Sequence, residues 1–194
     1  MYSISKCKCS SSVIRVSWPS GVSQLFMRSI RHIIPATIYA DNQMDIIASK
    51  VKPFFNGSFD YDLLVRLSTC ISKQIEYMEK RGITLVGLEL ADILSINNGA
   101  TFVVANYKRV IPHFNCTIRF DKPFYKPTFS TTEVKAITQL PAIIPYLSAR
   151  YSLGMMVVSL LGIDSMDSTI HPIKYTKLYW FLKRILSNGP VAFV

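Results

Sequence analysis

The sequence predicts an α+β protein: a reduced first part of short strands with one helix, then a mainly α-helical part around a buried central helix. Three observations carry this. Residues 148–161 hold no charge after Arg150, and their apolar side chains fall on every face of a helix. That is the pattern of a helix enclosed by protein or lipid. Its uninterrupted part, Tyr151 to Ile163, is 13 residues, short of the roughly 20 a membrane span needs, so enclosure by other helices is expected. Second, Leu63, Leu64, Leu67, Ile71, Ile75 and Met78 step by three or four, the longest helical period in the chain. Third, apolar runs at 93–96 and 102–105 flank Asn97-Asn98-Gly99-Ala100. Asn and Gly accept positive φ, so this is a strong hairpin signal.

In chain order, residues 1–12 are polar and small and are expected to be disordered. A β-prone run at 13–16 ends before Pro19, and Val22, Leu25, Phe26 and Ile30 mark one face of a helix over 21–32. Runs at 33–39 and 44–50 flank Ala40-Asp41-Asn42-Gln43, which is turn chemistry, so an antiparallel hairpin follows. Residues 13–52 form the first lobe. Lys52-Pro53-Phe54-Phe55-Asn56-Gly57 connects to a second lobe over 53–194. Ser58 or Asp60 caps the long helix, and Gly82 ends it in a left-handed turn. Residues 106–132 read as irregular, with prolines at 112, 123 and 127. A short helix over 133–140 and a final amphipathic helix over 175–186 complete the chain.

The 194 residues are 49% apolar and 18% charged, with a formal charge of +10. This is globular composition, not that of a disordered chain. The positive excess is spread over pairs such as Lys80-Arg81, Lys108-Arg109 and Lys183-Arg184. It allows acidic or phosphate-bearing partners, nucleic acid included, without the basic arm that would argue for the latter. Cys7, Cys9, Cys70 and Cys116 have no zinc-ligand spacing, and His32, His113 and His171 suggest neither a metal nor a triad. No metal centre is expected. The N-terminus lacks a secretory apolar core, so free thiols and an intracellular, cytoplasmic location are expected.

Four short matches, in a shared order and spacing, turn this layout into a resemblance. Tyr151-Ser152-Leu153-Gly154 is similar to the Trp-Ser-Leu-Gly that opens the buried central helix of eukaryotic-type protein kinases. The stretch from Glu76 to Ile83 is similar to the end of their helix before the catalytic loop. Ala91-Asp92-Ile93-Leu94 falls where they carry Glu-Asn-Ile-Leu, and Phe129 to Glu133 resembles their Ala-Pro-Glu region. The resemblance covers the chain from about Val13 onward. It implies a kinase-like fold with a reduced N-lobe and a helical C-lobe. The condensed activation segment and the absence of a glycine loop are also similar to kinase-like proteins encoded by large DNA viruses, which would place the protein in a host cell's cytoplasm.

The resemblance also implies what has been lost. The family's His-Arg-Asp falls on Leu85-Val86-Gly87, so the aspartate that accepts the substrate proton is Gly87. The metal-binding Asn is Asp92, a residual magnesium ligand or a group that hydrogen-bonds the 85–90 loop. Asp-Phe-Gly aligns with Asn106-Tyr107-Lys108, a neutral amide followed by a cation. The phosphate-gripping lysine falls at Arg15, and no Gly-x-Gly-x-x-Gly precedes it. Phosphoryl transfer depends on positioning and charge neutralisation, so these losses together leave no route to catalysis.

A catalytically inactive, kinase-like module that binds a protein partner (a true kinase or its substrate) is therefore expected, with no cofactor. Its rivals are a divergent active kinase or nucleotide-binding enzyme using Asp92 with Glu89 or Asp121, and a basic nucleic-acid-binding protein. A fragment that has lost its upstream glycine loop is a further alternative. Ser130, Thr131 and Thr132 are candidate phosphate acceptors with Lys126 and Lys135 nearby, Glu133 falls where the family pairs a glutamate with a late arginine but no equivalent arginine follows Pro190, and Leu178, Phe181, Leu182 and Ile185 form a core or binding face.

Overall fold

The computed structural model describes residues 2–6, 12–54, 60–162 and 173–187. Its first unit is an antiparallel sheet in the order β1-β2-β4-β3, from β1 (Ser3–Lys6), β2 (Val13–Ser17), β3 (Ala36–Ala40) and β4 (Gln43–Ile47). Alternation sets its inner face: Ile14 and Val16 of β2 and Met44 and Ile46 of β4 are buried. Within the stretch 1–12, expected to be disordered, Ser3–Lys6 is instead a strand that pairs with β2 along its whole length. Its sequence is mostly polar because it is an edge strand with one inward anchor, Ile4. Cys7, Cys9, 55–59 (with Ser58 and half of the expected connector), Ile163, His171 and 188–194 lie outside the described residues.

α1 (Gln24–Ile33) buries Phe26, Met27 and Ile30 beside this sheet. The hairpin turn over Asp41 and Asn42 is fixed from outside, because the Asn42 amide donates to the Trp18 carbonyl and the Trp18 N–H donates to that of Asn42.

α2 (Tyr61–Glu79) is the element most others touch, packing on α1, β6 (Ile83–Leu85), β8 (Thr101–Val104) and α4 (Ser148–Leu160). Asp60 caps it by accepting from Leu63 N at 2.5 Å, and Gly82, at φ +78°, closes its end, a conformation that favours a residue without Cβ. Leu64, Leu67, Ile71, Ile75 and Met78 form its buried stripe. Within that stripe Gln74, fully buried, acts as a piece of strand. Its Oε1 accepts from Val104 N at 2.7 Å and its Nε2 donates to Val104 O at 3.0 Å, so no backbone group there is left unpaired.

β7 (Ile93–Ile96) and β8 (Thr101–Val104) form the expected hairpin, with Asn97, Asn98 and Gly99 all at positive φ. β5 (Val51–Pro53) joins β7 on its other side. The region 106–132 is not irregular throughout, which corrects the sequence reading. β9 (Val110–Pro112) pairs with β6 (Ile83–Leu85), and β10 (Thr117–Phe120) pairs with β11 (Ala142–Pro145). α3 (Thr132–Ala136) follows, capped by Thr131, and is shorter than expected.

α4 (Ser148–Leu160) is the apolar helix, packed on α2 and on α5 (Lys177–Ser187). Its burial is deep but incomplete. Met155 and Ser159, one turn apart, are exposed and Tyr151 is half-buried, so enclosure on every side is corrected to enclosure on all but one stripe. Gly154 explains the wording of its motif: a Cβ there would lie 2.8 Å from Leu186 and 2.9 Å from Ile185, so its absence sets the closeness of α4 and α5. One apolar core runs from Ile14 to Ile185, and a smaller one gathers Val86, Ile118, Phe120, Val134 and Ile144. No helix among the described residues is long and apolar enough to cross a membrane.

Glu79 gives this core a pH dependence. Buried at the end of α2, it accepts through Oε2 from Nε of Arg150, 2.8 Å away, and from Nη2, while its Oε1 has no partner. Arg150's charge is stabilised by the pair, but burial outweighs Arg150 at the carboxyl and lifts Glu79 above the ordinary carboxylate range. The folded chain therefore holds more protons than the unfolded one between those two values, so stability falls as pH rises through that window. Asp45 and Glu76, pulled down by Arg15 and Lys80, act oppositely and lose their contribution only at lower pH. Melting temperatures measured upward from about pH 4.5 are expected to show a decline that Glu79→Gln flattens. An unchanged slope in the variant would exclude Glu79 as its source.

Candidate functional site

Two 3-10 turns face one another beside the β7–β8 hairpin. The first covers Leu90–Asp92 with Glu89 at its head, and the second covers Tyr107–Arg109 with Asn106 at its head. In a 3-10 helix residues three apart eclipse, so Glu89 stacks over Asp92 and Asn106 over Arg109. The two pairs meet. Asp92 Oδ1 accepts from Asn106 Nδ2 at 2.6 Å, Asp92 Oδ2 accepts from Arg109 Nε at 2.9 Å, and Arg109 Nη2 lies 4.0 Å from Glu89. Asp92 is 5% exposed. The backbone closes the same loop, for Ala105 N donates to Asp92 O at 2.7 Å.

The cluster also holds the segment after β10. Glu89 Oε1 accepts from Tyr125 OH at 3.1 Å and from Thr128 N at 2.9 Å. This contact with Glu89 raises the Tyr125 phenol above its ordinary value. The Arg109 guanidinium lies 4.7 Å from the Tyr125 ring centre. Leu88 and Phe129 exchange two backbone hydrogen bonds of 2.9 and 3.1 Å, which presses the segment onto Gly87. A Cβ on Gly87 would lie 2.8 Å from Phe129 O and 2.9 Å from Pro127 Cγ. Val86, Asn106, Lys108, Arg109, Phe124 and Tyr125 line an open cleft of about 440 Å³ alongside.

From the other side the sheet closes in. The Trp18 indole donates to Ala105 O at 2.8 Å, one residue before Asn106. Tyr2, at the head of β1, is raised above its ordinary value by burial and by the nearby Asp92 charge.

Asn106 and Lys108 thus line the cleft, Asp92 is buried behind Asn106 and bonded to it, and Gly87 is buried next to the lining residue Val86, while Arg15 stands on the sheet's outer face. It makes bonds of 2.6 and 2.8 Å to Asp45 and lies 4.2 Å from the Tyr39 ring centre. Of the two acids named as substitutes, Glu89 joins Asp92, whereas Asp121 pairs with Arg119 at an exposed position. Arg109 and Tyr125 are the members that sequence reasoning missed. A 3-10 turn headed by Asn106 was the available signal, since it returns residue 109 to the same side. Magnesium does not fit this arrangement. The cation needs several oxygen donors, whereas both Asp92 oxygens already accept protein donors, and Lys108 and Arg109 add positive charge.

The candidate phosphate acceptors are mostly committed to structure. Ser130 is buried and donates to Pro127 O, Thr131 is buried and caps α3, and only Thr132 is exposed. Lys126 donates to the Lys135 and Ile137 carbonyls at the end of α3. Glu133 takes a 3.4 Å contact from its neighbour Thr132. His113 stacks on Tyr146, and His32 packs at a tilt against Tyr77. No protein-family model and no curated protein matches the chain.

Proposed function

We propose that the chain is a catalytically silent, protein-kinase-like module whose role is to bind another protein. The succession of strand, helix, hairpin, long helix, second hairpin and buried helix supports the kinase-like reading. So does the closeness of four of the singled-out positions: Asn106 and Lys108 line one cleft, Asp92 is bonded to Asn106, and Gly87 adjoins the lining residue Val86. The silence is carried by Gly87. The position that would supply the proton acceptor not only lacks a carboxylate but has no room for a Cβ against Phe129 and Pro127. Arg109 and Asn106 in turn occupy the acid next in line, Asp92. Electrostatic stabilisation of a transferring phosphoryl group needs preorganised groups facing it, and these face one another.

The test is a melting curve with and without Mg-ATP, together with a labelled-phosphate transfer assay on general protein acceptors and on the chain itself. A nucleotide present at about a hundred times its Kd would add roughly 2.7 kcal/mol, or about 5–10 °C in a chain of this size. The expected result is an unmoved curve and no transferred label. A magnesium-dependent rise with label on an acceptor would replace the proposal with a divergent active kinase.

A further inference from the structure

We infer that the groove between α2 and α5 is a docking site for an acidic, amphipathic segment of a partner protein. The groove holds about 320 Å³, with an apolar floor of Val65, Leu178 and Phe181 and a rim carrying Lys73, Lys177 and Arg184. All three rim cations are exposed, and none pairs with an acid among the described residues. No carboxylate lines the groove. This differs from the treatment of Arg15, Arg109 and Arg150, each matched to its own acid. A second hollow of about 200 Å³ shares Phe181 and Arg184 and carries the groove on toward Leu153 of α4.

These features define the occupant. Three cations around a low-dielectric trough focus a positive potential into it, so the occupant is anionic. The floor requires apolar side chains beside that charge. The α2 lining from Val65 to Lys73 covers about 12 Å at the α-helical rise, which suits two turns of a peptide helix laid along the trough. Single-stranded nucleic acid, the other polyanion, binds through a series of aromatic platforms. Here Val65 and Leu178 offer no ring, and Phe181 stands alone.

This inference names the partner chemistry of the binding role proposed above and rests on that role. It is independent of the Asp92 cluster, so phosphotransfer would overturn the silence without touching the groove, and failure at the groove would leave the silence standing. The experiment uses the full chain and three fluorescent probes. One is a 14-residue helical peptide with glutamates along one edge and leucines along the next (about four turns by the helical repeat). The others are its lysine-for-glutamate counterpart and a single-stranded oligonucleotide. The protein is compared with the Lys73→Glu, Lys177→Glu, Arg184→Glu triple variant, whose changes are all on exposed residues.

The acidic peptide is expected to bind the natural chain and to lose roughly tenfold or more in affinity against the triple variant, as several exposed ion pairs become repulsions. The lysine peptide is expected to show the reverse preference. Phe181→Ala is expected to weaken the acidic peptide without restoring the lysine peptide. The inference is overturned if the acidic peptide does not bind, if charge reversal leaves its affinity unchanged, or if the oligonucleotide binds more tightly and is the probe lost on reversal.

Discussion

Asp92→Ala is expected to destabilise the fold by about 3–5 kcal/mol, the range for removing one partner of a buried ion pair. The Arg109 side chain is 12% exposed and would keep its charge with only Glu89, 4.0 Å away, to answer it. The Asn106 amide would lose its 2.6 Å acceptor at the same time. Because Arg109 and Glu89 also hold Tyr125 and Thr128, the segment leading to Gly87 should loosen with the cluster. Urea unfolding is the measurement, and a fall in melting temperature on the order of 10 °C should accompany it. Arg109→Met in the Asp92→Ala background should recover part of the loss, since an uncharged side chain no longer needs a partner, and the cycle should show coupling of about 1–3 kcal/mol. A loss below about 1 kcal/mol for Asp92→Ala would mean that the cluster does not hold these turns together.

Sequence made the larger elements legible where one period dominated. The α2 stripe, the Asn97-Asn98-Gly99 hairpin and the β3–β4 hairpin each had both a pattern and a stop signal, and each is present. The short strands had neither. β6 is Ile83-Thr84-Leu85, buried at all three positions, so it shows no alternation to read. β10 does alternate, with Ile118 and Phe120 inward, but four residues amid prolines 112, 123 and 127 pass for loop. β1 contributes a single inward Ile4. At the site, counting along the motifs singled out Gly87, Asp92, Asn106 and Lys108, of which Asp92 and Asn106 share a hydrogen bond and Lys108 lines the same cleft as Asn106. Arg109 was not found that way. In Lys108-Arg109 the sequence names two adjacent cations, and only the turn headed by Asn106 decides that the second points inward. Arg15 shows the reverse limit: the alternation of β2 puts Ile14 and Val16 inside and leaves Arg15 on the face shared with Asp45.

Gly87→Asp, the change that would supply the acid the proposed kinase-like reading calls for, is expected to destabilise the protein by about 2–3 kcal/mol and to produce no phosphotransfer. The reason is steric before it is chemical. The nearest obstacle to the new Cβ is the Phe129 carbonyl at 2.8 Å, which is backbone and is pinned by the paired bonds between Phe129 and Leu88. Pro127 Cγ, at 2.9 Å, belongs to a ring that cannot rotate aside. Overpacking of this kind costs typically about 1–3 kcal/mol, and an acid adds desolvation where the glycine is now buried. Gly87→Ala separates the two effects, since it introduces the clash without the charge and should account for most of the loss. Gly154→Ala is the useful contrast. Its Cβ would meet the ends of flexible side chains, Leu186 and Ile185, which can shift, so its cost should be smaller at a similar nominal distance. If Gly87→Asp melted with the natural chain and moved labelled phosphate onto an acceptor, the cleft would be a working site short of one carboxylate. Loss of stability without transfer, with Gly87→Ala showing most of that loss, is the result the packing of Pro127 and Phe129 requires.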